Sequence, residues 1–227
     1  MCGRYVLKAN LPEIARMLGI EPGGGAALAP RYNIAPTQAV PACRADAGGE
    51  RRLVDLRWGL VPRWAKDAKV AYRMINARAE TVAEKPAFRD AFRRRRCLLP
   101  ADGYYEWKRA GTRKQPYYLS RRDGSPFCFA GLWERWQRGD AEPIESCAII
   151  TTAADGLAAD IHDRMPVILD EGDFARWLDP ALDDTAALAP LLAPRAPDGM
   201  TYVPVSTLVN NPRVDEPRCI TPLADAV

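Results

Sequence analysis

Histidine is almost missing from this chain: His162 is the single imidazole in 227 residues, and no C-x-x-C pair occurs among six cysteines. Structural and catalytic metal centres are built from such residues at short spacings, so no metal and no other cofactor is expected. No apolar run approaches the ~18 residues that a membrane-spanning helix needs. The start lacks a basic segment followed by an apolar stretch, so a secretory leader is not expected and a cytoplasmic location is. Internal repeats are absent too. Charge imbalance is small, with 32 Lys and Arg against 29 Asp and Glu. That excess is too slight to announce a nucleic-acid partner by itself.

What remains is an ordinary globular composition, long enough for one large domain over residues 1–227 with an ample core. Cys2, Cys43, Cys97, Cys128, Cys147 and Cys219 are scattered, and in a reducing compartment they read as free thiols, several of them in the core. Arginine is clustered at Arg93–Arg96, Arg51–Arg52 and Arg121–Arg122. A lone cluster is usually a solvated face, and a binding patch requires convergence in three dimensions.

The patterning predicts a helix over Leu11–Ile20, with Ile14, Met17 and Leu18 on one face, ended by Gly19 and the Gly23–Gly25 loop. Strands are predicted at 39–43 and 53–60 around a Gly48–Gly49 turn, and a helix at 84–95 with Pro86 in its first turn. Short β-like runs follow at 97–99, 104–108, 116–120, 127–132, 146–152 and 167–169. Helices are then expected at 171–178 and 183–192, and a last strand at 201–205. Closely spaced, hairpin-connected strands argue for an α+β fold with a curved, barrel-like, mainly antiparallel sheet and peripheral helices.

The most informative position is the second. The chain opens Met1-Cys2-Gly3-Arg4-Tyr5, so removal of Met1 leaves Cys2 with a free α-amine beside a β-thiol. An α-amine has a pKa near ~8, far below that of lysine, so much more of it is unprotonated at neutral pH. It can attack an aldehyde to give an imine, on which the thiol closes as a five-membered thiazolidine. On position alone, a small buried thiol is the commoner outcome.

Four further segments set polar residues among aromatics and turn formers: Tyr32–Gln38, Arg73–Thr81, Asp102–Lys108 and Ile161–Pro166. Glu106 lies in an aromatic-rich strand, where apolar surroundings would raise its pKa toward neutrality and suit it to proton transfer. By itself, a surface glutamate is the commoner reading. His162 is a natural acid/base, although a structural histidine fits the pattern as well.

Read together, the motifs Cys2-Gly3-Arg4-Tyr5, Asn33-x-Ala35-Pro36-Thr37-Gln38, Trp58–Ala65, Asn76-Ala77-Arg78-Ala79-Glu80-Thr81, Gly103-Tyr104-Tyr105-Glu106-Trp107 and Ile161–Val167 resemble the SOS response-associated peptidase (SRAP) family, which protects abasic sites in DNA. A weaker echo follows at Val209-Asn210. The resemblance implies a sensor that crosslinks itself to abasic sites in single-stranded DNA. Cys2 would form the Schiff base and then the thiazolidine, Glu106 would shuttle protons, His162 would assist opening of the sugar ring, and Asn76 would hold the reactants. It also implies DNA contacts by Arg4, Asn33, Arg78, Thr151 and Arg164, with Pro36 and Trp64 wedging or stacking beside the lesion. Core packing is an equal prospect for Trp58 and for Trp64. The partner implied is abasic single-stranded DNA, with no membrane and no metal, met by a monomer. The family name implies a second activity, autoproteolytic removal of Met1. Two rivals stand beside this: an N-terminal-nucleophile peptidase acting on other proteins, and a non-covalent reader of modified bases.

Overall fold

Apolar runs broken by turn residues become strands through most of this chain. The computed structural model describes residues 2–22 and 27–223; Met1 and the Gly23–Gly25 run lie outside the described residues. In chain order the strands are β1 (Tyr5–Leu7), β2 (Arg31–Ile34), β3 (Ala39–Ala45), β4 (Arg51–Trp58), β5 (Asn76–Arg78), β6 (Arg96–Ala101) and β7 (Gly103–Ala110). They continue as β8 (Arg113–Arg121), β9 (Phe127–Trp136), β10 (Ile144–Ala153), β11 (Arg164–Pro166), β12 (Ile168–Leu169) and β13 (Met200–Pro204). Among the described residues four short α-helices lie at the periphery: α1 (Leu11–Leu18), α2 (Arg89–Arg94), α3 (Phe174–Leu178) and α4 (Thr185–Leu188).

Strand β10 organises the larger sheet. It runs parallel to β4 and antiparallel to β9, while β4, β3, β6 and β9 pair in series. The five strands therefore close on themselves, which leaves the barrel no free edge. Strands β5 and β11 extend β10, and β12 extends β9. The second sheet is antiparallel, in the order β13-β8-β7-β1-β2. Tyr5 and Tyr104, opposite each other on β1 and β7, fill the space between sheet and barrel. Tyr5 packs edge-on at 5.3 Å from Trp58 and 5.7 Å from Phe129, and Tyr104 lies 6.1 Å from Phe129.

Local chemistry sets the ends of α1. The Asn10 side chain accepts from the Glu13 amide at 3.0 Å, and the Glu13 carboxylate accepts from the Asn10 amide at 3.0 Å. Gly19 closes the helix at φ 64°, a conformation that glycine adopts without penalty. Asp102, itself buried, accepts the amides of Lys8 and Ala9 at 2.6 and 2.9 Å. That carboxylate ties the end of β1 to the start of β7. Gly103 is needed there, because a Cβ would lie 2.4 Å from the Tyr118 ring and 2.5 Å from the Leu119 carbonyl oxygen.

The α+β, barrel-like architecture expected from the sequence is the one found, with several local differences. The helix expected at 84–95 is confined to Arg89–Arg94, and 81–88 forms turns in which the Lys85 carbonyl takes the amides of Phe88 and Arg89, each at 2.9 Å. Pro86 disfavours the α conformation at Lys85 and brings no amide hydrogen, so the helix starts after it. Strands β1, β2 and β5 have no counterpart in the sequence pattern, since three or four residues are too few for an alternation to stand out. Of the strand expected at 167–169 only Ile168–Leu169 forms one, as β12, while Val167 donates to the Ile150 carbonyl and separates it from β11, which lies ahead of the expected range. Arg96, last of the arginine run, points inward and donates to the carbonyls of Phe92, Arg93, Trp177, Asp179 and Leu182 at 2.6–2.9 Å. It is a structural staple between α2 and the segment after α3.

Candidate active site

The site lies where the N-terminal segment passes between the antiparallel sheet and the barrel end. Tyr105 donates its amide to the Arg4 carbonyl at 3.0 Å, so the residues before β1 continue alongside β7 and bring Cys2 next to Glu106. Cys2 is fully buried. From the barrel side β5 pairs with β10, setting Asn76 opposite Ile149 and Arg78 opposite Thr151. The Asn76 side-chain amide donates to the Cys2 carbonyl at 2.9 Å. Its own oxygen is buried and takes no hydrogen bond among the described residues, an acceptor open to a donor from a substrate.

Electrostatics distinguish the acids and bases of this pocket. Burial raises the Cys2 thiol far above the ordinary thiol range, and the nearby Glu106 carboxylate pushes it in the same direction. The thiol is therefore uncharged at rest. Burial likewise raises Glu106, against the lowering pull of His162. A carboxyl raised by burial can take up and release protons nearer to neutrality. Glu106 and His162 line one cleft of about 810 Å³, together with Lys108, Arg109, Lys114 and Asp163. The His162 Nδ1 accepts the Arg164 amide at 3.0 Å. Asp163 Oδ1 lies 2.7 Å from that same Nδ1 and is its partner when the ring is charged.

The residues that the resemblance assigns to DNA fall into two groups. Arg78 is exposed on β5, and Trp64 is 61 % exposed with its indole nitrogen donating to the Pro86 carbonyl at 3.3 Å. Pro36 is half-buried, ahead of Thr37, which at φ 76° is the one non-glycine in the left-handed region among the described residues. A β-branched residue is strained there, and such strain is tolerated chiefly at functional positions. Trp58, by contrast, is fully buried, donating to the Ile75 carbonyl at 2.9 Å.

The other group is already engaged within the protein. Asn33 is fully buried, and its amide nitrogen donates to the carbonyls of Val209, Asn211 and Val214 at 3.2, 3.0 and 2.7 Å. Its oxygen accepts from Arg4 at 3.0 Å, while Arg4 also donates to Val209 and Asn210 carbonyls at 2.5 and 3.3 Å. The Val209-Asn210 echo in the sequence is thus the segment latched onto Arg4 and Asn33. Thr151 is fully buried beside Arg164, whose guanidinium donates to the Thr151 carbonyl at 2.6 Å and to both Glu80 oxygens at 2.5 and 3.0 Å. Glu80, inside the Asn76–Thr81 motif, meets Arg164 because β5 and β11 both pair with β10. Arg109 and Lys114, which the sequence reading leaves without a role, are local to Glu106: Arg109 follows it on β7 and Lys114 faces Arg109 across the hairpin.

A sequence profile of the SOS response associated peptidase (SRAP) family matches residues 1–212. The chain belongs to the SRAP family. Abasic site processing protein YoqW of Bacillus subtilis is 44% identical over 224 residues, covering 97% of this chain and 99% of that protein. Abasic site processing protein HMCES of Xenopus tropicalis is 34% identical over 225 residues, covering 84% of this chain and 65% of that protein. A crystal structure of a protein from Bacteroides thetaiotaomicron has the same fold, with a TM-score of 0.86, 28% identity, and coverage of 98% of this chain and all of that one. Among the described residues no helix is long and apolar enough to cross a membrane.

Proposed function

We propose that this SRAP protein processes abasic sites in DNA and does so by crosslinking itself to them as a monomer through Cys2. The observation that carries the reading is the convergence on Cys2 of the Asn76 amide and the Glu106 carboxyl. Once Met1 is removed, the Cys2 amine attacks the C1′ aldehyde of the ring-opened sugar and water leaves, giving an imine. The thiol then adds across the C=N bond, sulfur to carbon and hydrogen to nitrogen. The product keeps the strand intact, because the thiazolidine has lost the electron sink through which an imine promotes β-elimination.

Each group has one task. Glu106 carries protons between amine, departing hydroxyl and thiol, for which a carboxyl raised by burial is suited. His162, which lines the same cleft as Glu106, assists ring opening. Asn76 holds the N-terminal residue close to its attack geometry. Phosphates flanking the lesion are bound by Arg78, and by Arg4 and Arg164 where the DNA displaces their internal partners.

The direct test mixes trimmed protein with a single-stranded oligonucleotide bearing one abasic site. A heat-stable adduct, at the summed mass less one water, is expected on a denaturing gel and by mass spectrometry. Absence of the adduct from protein with a verified Cys2 N-terminus would overturn the reading. Reversible binding that survives loss of Cys2 would favour the non-covalent reader instead.

A further inference from the structure

Arg93, Arg94 and Arg95 remain without a role after Arg96 is accounted for. Arg93 and Arg94 are exposed at the end of α2, and Arg95 is half-buried, holding Glu134 at 2.8 Å. Arg63 joins them from the loop before a short 3₁₀ helix at Ala68–Arg73. It lines one cleft of about 390 Å³ with Arg95, Glu134 and Arg135. It also lines a second of about 270 Å³ with Asp90, Arg93, Arg94 and Arg95. Five guanidiniums thus face two neighbouring clefts in which Asp90 and Glu134 are the acidic residues. Arg63, Arg94 and Arg135 form no ion pair among the described residues, and Arg93 has Asp183 only at 3.9 Å. Crowded like charges of this kind favour a polyanion.

A run of contacts leads from the reactive site toward these clefts. Arg164 grips Glu80, two residues beyond Arg78. The chain then turns to Pro86, whose carbonyl is held by Trp64, and Arg63 is the next residue. We infer that the two clefts around Arg63 bind the sugar-phosphate backbone of the DNA flank that leaves the lesion past Trp64. This rests on reading the Cys2 site as an abasic-DNA site. Guanidinium pairs phosphate oxygens two at a time and reads no base, so the contact is independent of sequence and sensitive to salt.

The test uses the full chain carrying R63Q, R93Q and R94Q together, three exposed positions that leave the Arg95–Glu134 pair and the Cys2 site untouched. Undamaged single strands of about 6 and about 30 nucleotides are titrated at several salt concentrations, the shorter sized to a single binding groove. The same lengths with a central abasic site are followed for crosslinking. Wild type should gain affinity and crosslinking rate with length, and the variant should lose that gain while matching wild type on the shorter strand. The slope of log K against log salt should be shallower by about 2, from roughly 0.7 for each lost single-strand phosphate contact. An unchanged length dependence and slope would overturn the inference and point to another polyanion, such as an acidic protein segment. Failure of wild type to crosslink any strand would instead sink the reading of the Cys2 site, and the undamaged-strand titration would still decide the role of the clefts.

Discussion

The side chain of Asn76 donates to the main-chain carbonyl of Cys2 at 2.9 Å, across 74 residues of sequence. One hydrogen bond therefore fixes the residue whose amine and thiol would both react. Truncating it as Asn76→Ala should cost only about 1 kcal/mol of stability, the usual net worth of such a bond. The crosslinking rate should fall far more, by about 10²-fold, as a reacting group loses its near-attack position. Melting temperature measured beside crosslinking rate checks this, and parallel losses would reduce Asn76 to a structural role.

Cys2→Ala should fold normally and give no heat-stable adduct, leaving at most an imine that borohydride reduction traps. Retaining Met1, or adding an uncleaved tag, should be equally damaging because it acylates the amine. Undiminished heat-stable crosslinking by either protein would defeat the thiazolidine mechanism.

Glu106→Gln separates stability from reactivity. Burial raises the Glu106 pKa in the folded protein above its ordinary value, so the folded state binds its proton more tightly than the unfolded chain does. The stability this contributes is full below the unfolded pKa and is lost as pH rises through the folded one. Glu106→Gln should therefore melt higher than wild type at neutral pH, with the gap closing toward about pH 4. Crosslinking should nevertheless slow by ~10²-fold or more, since glutamine exchanges no proton. Thermal melts across pH beside rate measurements test both halves.

His162→Ala should slow crosslinking to abasic DNA yet spare reaction with a small open-chain aldehyde, which has no ring to open. Equal impairment toward both substrates would reassign His162 to positioning.

Arg78→Ala and Arg4→Ala should differ in kind. Arg78 is exposed, so its loss should weaken DNA binding and flatten the salt dependence without moving the melting temperature. Arg4 holds the carbonyls of Val209 and Asn210, so its loss should lower the melting temperature as well. Identical thermal profiles for the two variants would contradict the structural latch.

By itself the sequence determined what is chemically local. A cysteine at the second position, an aromatic strand bearing Glu106, one histidine and the order of the motifs were legible, because reactivity and strand or helix tendency are carried by a few adjacent residues. The capped helix at Leu11–Leu18 and the hairpin of β7 and β8 could be read for the same reason. Tertiary structure decided the rest. Only strand pairing puts Arg78 opposite Thr151 and closes β10 onto both β4 and β9. The family resemblance implies DNA contacts for Asn33 and Arg4, and only the fold shows the carbonyls of residues 209–214 holding both within the protein. The arginine run divided in the same way: Arg96 turned inward because five main-chain carbonyls satisfy its guanidinium, while Arg93 and Arg94 stayed in solvent. A polar side chain's role depends on which partners burial brings within about 3 Å, and those partners lie anywhere along the chain.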